Sequence, residues 1–220
     1  AGGIFGGSLY FFTENTALGI TQASNVSFII CTAPLLTTIL SLLFYKSEKA
    51  SKGLIYGSLL ALMGVGLIVF NGSFVLKISP IGDLLTLLAA LSWAFYSLII
   101  KKMAGRYPTI FITRKIFFYG VLTILPAFLL HPLHPDTVVL LQPAVLFNLL
   151  FLAVLASLIC YVLWNVVLKQ LGTVRASNYI YLNPLVTMIA SFLILDEKIT
   201  LVALGGAACI VCGVYWAEKK

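Results

Sequence analysis

The side chains with chemical potential in this chain lie inside long apolar runs. Glu14 is the most informative, because an ionisable group within such a run is costly unless it faces a cavity or a partner. A carboxyl group in that setting is suited to binding and releasing protons. The alternative is that Glu14, which lies about one helical turn before Gly19, only reaches the nearby interface.

Amide side chains recur in the same apolar runs. Asn15 and Asn165 occupy two of them, and Asn178 and Asn183 share a third with Tyr179. An amide surrounded by apolar groups either bonds across helices or contacts a polar solute, and both interpretations of Asn15 and Asn165 stay open. A face of amides and phenols favours a polar solute with an apolar body.

Two further features add aromatic and cationic groups. Trp93 and Tyr96 are one helical turn apart and therefore share a face, where they either stack on a solute or pack within the protein. Arg114 either points inward to hold an anionic group or, with Lys115, extends towards the aqueous surface.

Metal, cofactor and enzyme chemistry are not predicted. The four cysteines all lie in apolar stretches, and no Cys or His cluster has metal-ligand spacing. His131 and His134 fall in one loop, and Asp83, Asp136 and Asp196 lie at the edges of apolar runs, which argues against a membrane-embedded catalytic dyad. A Walker A loop is absent, so ATP hydrolysis is not the energy source.

These polar side chains lie in apolar runs because the chain as a whole is unusually apolar. Of the 220 residues, 61% are hydrophobic and 10% are charged, and the mean hydropathy is +1.08. Globular domains average roughly 45–50% apolar and about 25% charged residues. This excludes a soluble enzyme, a secreted disulfide scaffold and a disordered chain, and it predicts an all-α, polytopic transmembrane helix bundle.

A bilayer core of about 30 Å requires roughly 20 apolar residues per helix. With that length the sequence predicts eight spans, and runs such as 54–70 do not alternate as barrel strands do. The spans are about 3–19, 23–45, 53–70, 82–100, 109–130, 144–168, 176–195 and 199–217.

The basic residues predict the orientation of these spans. Along an eight-span path, 12 of the 14 basic residues fall on one side, and only Lys77 and Lys198 fall on the other. The positive-inside rule therefore places both ends of the chain in the cytoplasm, with the protein in a plasma (bacterial inner) membrane. The scattered charges form no patch for nucleic acid, and the bilayer is the expected surrounding.

An internal repeat is the strongest pattern in the chain. A shift of 150 residues aligns residues 15–43 with 165–193, so that Asn15 falls on Asn165 and Pro34 on Pro184. The two prolines are predicted to kink equivalent spans in mid-helix and are candidate hinges. Gly57 and Gly64 fall on Gly206 and Gly213 after one residue is dropped in the following loop.

The repeat also predicts how the chain is threaded. Five spans separate equivalent helices, so the two copies cross the membrane in opposite directions, as in the inverted repeats of secondary transporters. Spans four to eight make a five-helix unit, whereas the first unit has only three. We therefore expect two further spans, about 70 residues by the repeat register, to precede residue 1.

These motifs resemble a known family. Thr16 to Pro34, Gly57 with Gly64, and the related run from Ala176 to Gly213 are similar to the drug/metabolite transporter superfamily, and most of all to its EamA-type permeases of ten spans. The resemblance implies that residues 1–70 are the last three helices of one repeat, 71–81 a linker loop and 82–220 a complete second repeat. The family's solutes range from amino acids and nucleotide sugars to other metabolites and drugs.

The sequence thus predicts a secondary active permease or exporter that moves a small metabolite or drug-like solute by alternating access, driven by protons or by exchange. Its expected solute-contacting residues are those introduced above: Glu14, Asn15, Trp93, Tyr96, Arg114, Asn165, Asn178, Tyr179 and Asn183. The alternatives are a passive channel and an integral membrane enzyme. The sequence leaves the oligomeric state open.

Overall fold

The computed structural model describes residues 1–45, 51–70, 79–130, 137–195 and 199–219. Every regular element within these ranges is helical. The α-helices are α1 (Leu9–Ile20), α2 (Ala23–Ile30), α3 (Ala33–Phe44), α4 (Lys52–Phe70), α5 (Pro80–Ala104), α6 (Thr109–Leu130), α7 (Thr137–Leu140), α8 (Pro143–Leu150), α9 (Cys160–Leu171), α10 (Thr173–Asn178), α11 (Asn183–Leu195) and α12 (Leu201–Glu218). The predicted all-α bundle is confirmed.

Three segments continue these helices with a different pitch. Ile4–Ser8 is π-helical and runs into α1, Phe151–Ile159 is π-helical and joins α8 to α9, and Tyr179–Leu182 is a 3₁₀ helix between α10 and α11. A shift of 150 residues takes 4–8 to 154–158, which lies inside the second π-helical segment. Equivalent stretches of the sequence repeat therefore share this uncommon geometry.

In the part of the chain that the structure describes, seven helical segments are long and apolar enough to cross a bilayer. They begin with Ala23–Phe44 and end with Leu201–Glu218. The predicted first span forms a helix up to Ile20, but it carries Glu14 and Asn15 and is not among the seven. The chain is an integral membrane protein, and the count of eight spans stays a prediction.

The two repeated prolines do not lie in the middle of continuous helices. α2 ends at Ile30 and Pro34 lies in the first turn of α3, while Pro184 follows the 3₁₀ segment at the start of α11. The predicted mid-helix kinks are therefore interruptions, because proline is tolerated in a first helical turn, where its missing N–H costs nothing. Their role as hinges stays a prediction.

α4 and α12 pack against each other along much of their length, and they run antiparallel. A Cβ atom added to Gly57 would lie 2.5 Å from the carbonyl oxygen of Gly213, and one added to Gly64 would lie 2.5 Å from that of Gly206. Without a side chain at these four positions the two backbones touch. The sequence repeat aligns Gly57 with Gly206 and Gly64 with Gly213. The contact between Gly57 and Gly213 therefore corresponds to the contact between Gly206 and Gly64.

α5 is central to the rest of the bundle. It contacts α1, α2, α3, α6, α9 and α10, and it buries small residues such as Ala89, Ala90 and Ala94 completely. By contrast, α8 and the π-helical segment after it contain no buried residue. Small side chains therefore allow several helices to approach α5 closely. The candidate functional site described below lies around this helix.

Part of the predicted charge pattern lies outside the described residues. This applies to Lys46, Lys49, Lys77, Lys198 and Lys220, and to the linker residues 71–78. It also applies to His131, His134, Asp136 and Asp196.

Candidate functional site

Aromatic rings from three helical segments surround Trp93 in the middle of α5. We call this set the aromatic cluster: Tyr10, Phe11, Trp93, Tyr96, Tyr161 and Trp164. The Trp93 ring centroid lies 5.1 Å from that of Tyr10, 5.2 Å from Tyr96 and 5.8 Å from Trp164. These separations are those of contacting aromatic pairs. The predicted pair Trp93 and Tyr96 thus belongs to a larger packed group.

Glu14 lies at the edge of the aromatic cluster. The Tyr10 hydroxyl, one helical turn earlier on the same helix, donates a hydrogen bond of 3.0 Å to Glu14 Oε1. Glu14 is half-buried, so it is neither sealed in the core nor fully on the surface. Because Tyr10 also contacts Trp93, the carboxyl group is linked to the centre of the cluster by one side chain.

Asn165 of α9 links its helix to α5 and α6 through two hydrogen bonds next to the aromatic cluster. The Tyr96 hydroxyl donates to Asn165 Oδ1 at 2.7 Å, and Asn165 Nδ2 donates to Thr113 Oγ1 at 2.9 Å. Asn165 is 1% exposed. Both ends of the amide are therefore used between α5, α6 and α9, which is the arrangement expected of an interhelical link.

Asn15 is placed differently from its repeat counterpart. It is exposed, and its Nδ2 donates to the backbone carbonyl of Phe11 on the same helix, at 2.8 Å. The structure does not bring Asn15 into the aromatic cluster.

Two indole N–H groups in the cluster are buried without an acceptor in the described part of the chain. They belong to Trp93 and Trp164. A buried donor without a partner is uncommon, and it is satisfied when a bound molecule supplies an acceptor. Trp164 is the repeat counterpart of Glu14, so equivalent positions supply a carboxylate and an indole donor.

The amides and phenol of the seventh predicted span do not form one face. Asn178 is fully buried and accepts a hydrogen bond of 3.4 Å from Ser58 of α4, whereas Tyr179 and Asn183 are exposed. Neighbouring residues of an α-helix are about 100° apart and residues five apart are about 140° apart, so Asn178, Tyr179 and Asn183 would not share one face even in a regular helix.

Arg114 lies away from the cluster. It is exposed, and its guanidinium carbon is 5.5 Å from the centroid of the Phe111 ring on the same helix. Of the residues predicted from the sequence, the structure therefore brings Glu14, Trp93, Tyr96 and Asn165 together. It places Asn15, Arg114, Tyr179 and Asn183 on exposed surfaces.

Sequence reasoning missed four members of the cluster: Tyr10, Phe11, Tyr161 and Trp164. Tyr10 precedes Glu14 by four residues and Tyr161 precedes Asn165 by four, so helical spacing alone indicated that each shares a face with a candidate residue. The Tyr161 hydroxyl donates a 2.6 Å hydrogen bond to the carbonyl of Gly6 in the first π-helical segment. No group of three His, Cys, Asp or Glu side chains in the described ranges is placed to hold a metal ion.

A polytopic helix bundle with interrupted helices and polar groups within its apolar segments is typical of membrane transport proteins. The chain matches the EamA-like transporter family over residues 1–70 and 80–217. It therefore belongs to that family and is a membrane transporter, not an enzyme.

Individual relatives agree with this assignment. An uncharacterized transporter of Archaeoglobus fulgidus is 30% identical over 218 residues, which cover 98% of this chain and 73% of that protein. A probable amino-acid metabolite efflux pump of Salmonella typhimurium is 29% identical over 182 residues, covering 78% of this chain and 60% of its own length. A probable amino-acid metabolite efflux pump of Escherichia coli is 23% identical over 205 residues, which cover 90% of this chain and 69% of that protein.

A solved crystal structure has the same fold. It superposes with a TM-score of 0.81 at 20% sequence identity, and the match covers 99% of this chain and 73% of that chain. At this identity the likeness concerns the fold alone.

Proposed function

We propose that the chain is a secondary active exporter of small metabolites, amino-acid metabolites among them, and that it works by alternating access with proton coupling through Glu14. The observation that carries this proposal is the carboxyl group of Glu14, held by Tyr10 beside a buried aromatic cluster in a membrane protein. The names of the Salmonella typhimurium and Escherichia coli relatives, both probable amino-acid metabolite efflux pumps, support the solute class.

The two repeats are proposed to be the moving halves. Residues 1–70 contain α4 and residues 82–220 contain the equivalent helix α12. The two helices are antiparallel, and under the repeat alignment each of their two glycine contacts corresponds to the other. This is what two inverted units related by a two-fold axis in the membrane plane would give. The interruptions before Pro34 and Pro184 supply matched positions for bending in the two halves.

The solute is proposed to bind against the aromatic cluster. Trp93 and Trp164 offer indole N–H donors to an acceptor such as a carboxylate, and Glu14 offers a carboxylate to an amine. The aromatic rings would cover the apolar body of the molecule. The predicted contacts of Asn15, Arg114, Asn178, Tyr179 and Asn183 with the solute remain part of the proposal, although these side chains lie outside the cluster.

Transport by purified protein in liposomes tests the proposal. With amino-acid metabolites as solutes, we expect saturable uptake that a proton gradient accelerates. The Glu14→Gln variant should lose the acceleration, because the amide cannot carry a proton. Its solute-for-solute exchange should persist at a higher half-saturating concentration, because the variant also lacks the carboxylate proposed to face the solute amine. Glu218→Gln, at the far end of α12, is the matched control and should keep both. Gradient-driven uptake by Glu14→Gln at the wild-type rate would remove Glu14 from the coupling, and unsaturable flux would indicate a channel.

A further inference from the structure

A lateral groove lies between the C-terminal ends of α3 and α5, apart from the aromatic cluster. Its volume is about 410 Å³. It is lined by Phe44, Tyr45, Phe95, Leu98, Ile99 and Lys102. The lining extends from Phe95 to Lys102, which is about 10 Å along an α-helix. The walls are thus almost entirely apolar, and the charged group lies at one end.

The apolar part of the groove is formed by aromatic and aliphatic side chains that face one another. The rings of Phe44 and Phe95 meet edge to face, with 6.3 Å between their centroids. Phe44 is 65% exposed, so the groove is open to the surroundings of the helix bundle. The Tyr45 hydroxyl donates to the carbonyl of Leu98 at 3.1 Å, which fixes the end of α3 against α5.

The charged end carries two ammonium groups. Lys101 and Lys102 form the last turn of α5. Lys101 Nζ lies 4.4 Å from the centroid of the Tyr45 ring, so it is held at the rim, and Lys102 is exposed and lines the groove. None of the six lining residues is acidic. The lining that the structure describes therefore offers ammonium groups to a negative headgroup, whereas it offers a choline ammonium no carboxylate.

We propose that this groove binds one anionic phospholipid. Its acyl chain lies along Phe44, Phe95 and Ile99, and its phosphate is bound by Lys102 with Lys101 beside it. The chemistry fits because the lysines lie at the end of a membrane helix, where headgroups meet the hydrocarbon region, and basic pockets between helices are suited to anionic headgroups.

Thermal unfolding of the purified chain in detergent, titrated with dioctanoyl phosphatidylglycerol, tests the proposal. We expect stabilisation at lower concentrations than with dioctanoyl phosphatidylcholine. Lys102→Gln should raise the concentration of the anionic lipid needed by about fivefold, the contribution of one lysine near a membrane surface. Lys169→Gln is the matched control, because Lys169 lies in the last turn of α9, is exposed and does not line the groove. It should shift the titration less than twofold.

Three results would overturn the proposal. The first is equal stabilisation by inorganic phosphate, which would indicate an anion site without a lipid. The second is an equal loss for Lys169→Gln, which would indicate unspecific attraction to the basic end. The third concerns Phe44→Ala, whose exposed ring can be removed without opening the core. An unchanged titration of this variant with dioctanoyl phosphatidylglycerol would exclude the groove as the binding site of the acyl chain.

Discussion

Asn165 and Asn15 occupy equivalent positions in the sequence repeat, yet their hydrogen-bond partners differ. Asn165 is buried and links Tyr96 of α5 to Thr113 of α6, whereas Asn15 is exposed and bonds to its own helix. The difference arises from their neighbours, since α9 packs on both α5 and α6 at this level. A repeated residue type thus does not preserve a repeated role.

The two asparagines give a matched stability test. Asn165→Ala leaves the Tyr96 hydroxyl without its acceptor and the Thr113 hydroxyl without its donor, which we expect to lower the free energy of unfolding by about 1–3 kcal/mol. Asn15→Ala removes only an exposed bond within one helix and should change it by less than about 0.5 kcal/mol. Thermal or denaturant unfolding in detergent measures both. Equal losses would show that Asn165 is not the interhelical link.

At this scale the sequence predicted part of the site. Helical spacing placed Trp93 and Tyr96 on one face, and the cost of a carboxyl group in an apolar run singled out Glu14. Spacing within one span does not show which other helix faces it. The contact between Trp93 and Trp164, whose positions are 71 residues apart, therefore had no signal in the sequence.

The packing of α12 against α4 depends on whether single positions carry a Cβ atom. Gly206 faces α4 and its neighbour Gly205 faces away: a Cβ atom on Gly206 would lie 2.7 Å from the carbonyl oxygen of Gly64, whereas one on Gly205 would have no atom within 4 Å. At Gly206 there is thus no room for a side chain, whereas at Gly205 there is.

The two neighbouring glycines give opposite predictions. Gly206→Ala must separate α4 from α12 and should destabilise the protein by about 1–3 kcal/mol, the usual cost of overpacking. Gly205→Ala should stabilise it by up to about 1 kcal/mol, because alanine favours the helix and meets no neighbour. Unfolding of the two variants side by side measures the difference. A stabilising Gly206→Ala would contradict the close contact of the two backbones.

The sequence located the elements better than their irregularities. The predicted spans 53–70 and 109–130 agree closely with α4 and α6, because long apolar runs have few alternatives in a bilayer. The π-helical segments Ile4–Ser8 and Phe151–Ile159 were not predicted. The first of them accepts a hydrogen bond at the Gly6 carbonyl from Tyr161, a contact between distant parts of the chain that spacing within one span does not show.

The whole molecule is expected to have its basic end in the cytoplasm. The loop between α5 and α6 contains Arg106, and the loop between α7 and α8 contains Gln142. Because α6 lies between these two loops, the orientation predicted from the basic residues puts them on opposite sides of the membrane.

Cysteine labelling tests this orientation. In a variant whose four cysteines are replaced by alanine, Arg106→Cys and Gln142→Cys each introduce one exposed thiol. In intact cells we expect a membrane-impermeant maleimide to label Gln142→Cys and to spare Arg106→Cys until the cells are opened. The opposite pattern would reverse the predicted orientation, and labelling of both in intact cells would exclude α6 as a membrane-spanning helix.

The aromatic cluster also gives the molecule an intrinsic optical probe. Two of the three tryptophans, Trp93 and Trp164, lie together in the cluster, while Trp216 stacks on Tyr56 at the α4–α12 pair. Replacing Trp216 by phenylalanine would leave fluorescence from the cluster alone. Any solute that parts the two remaining indoles, or admits water between them, would then change the emission without a label being attached.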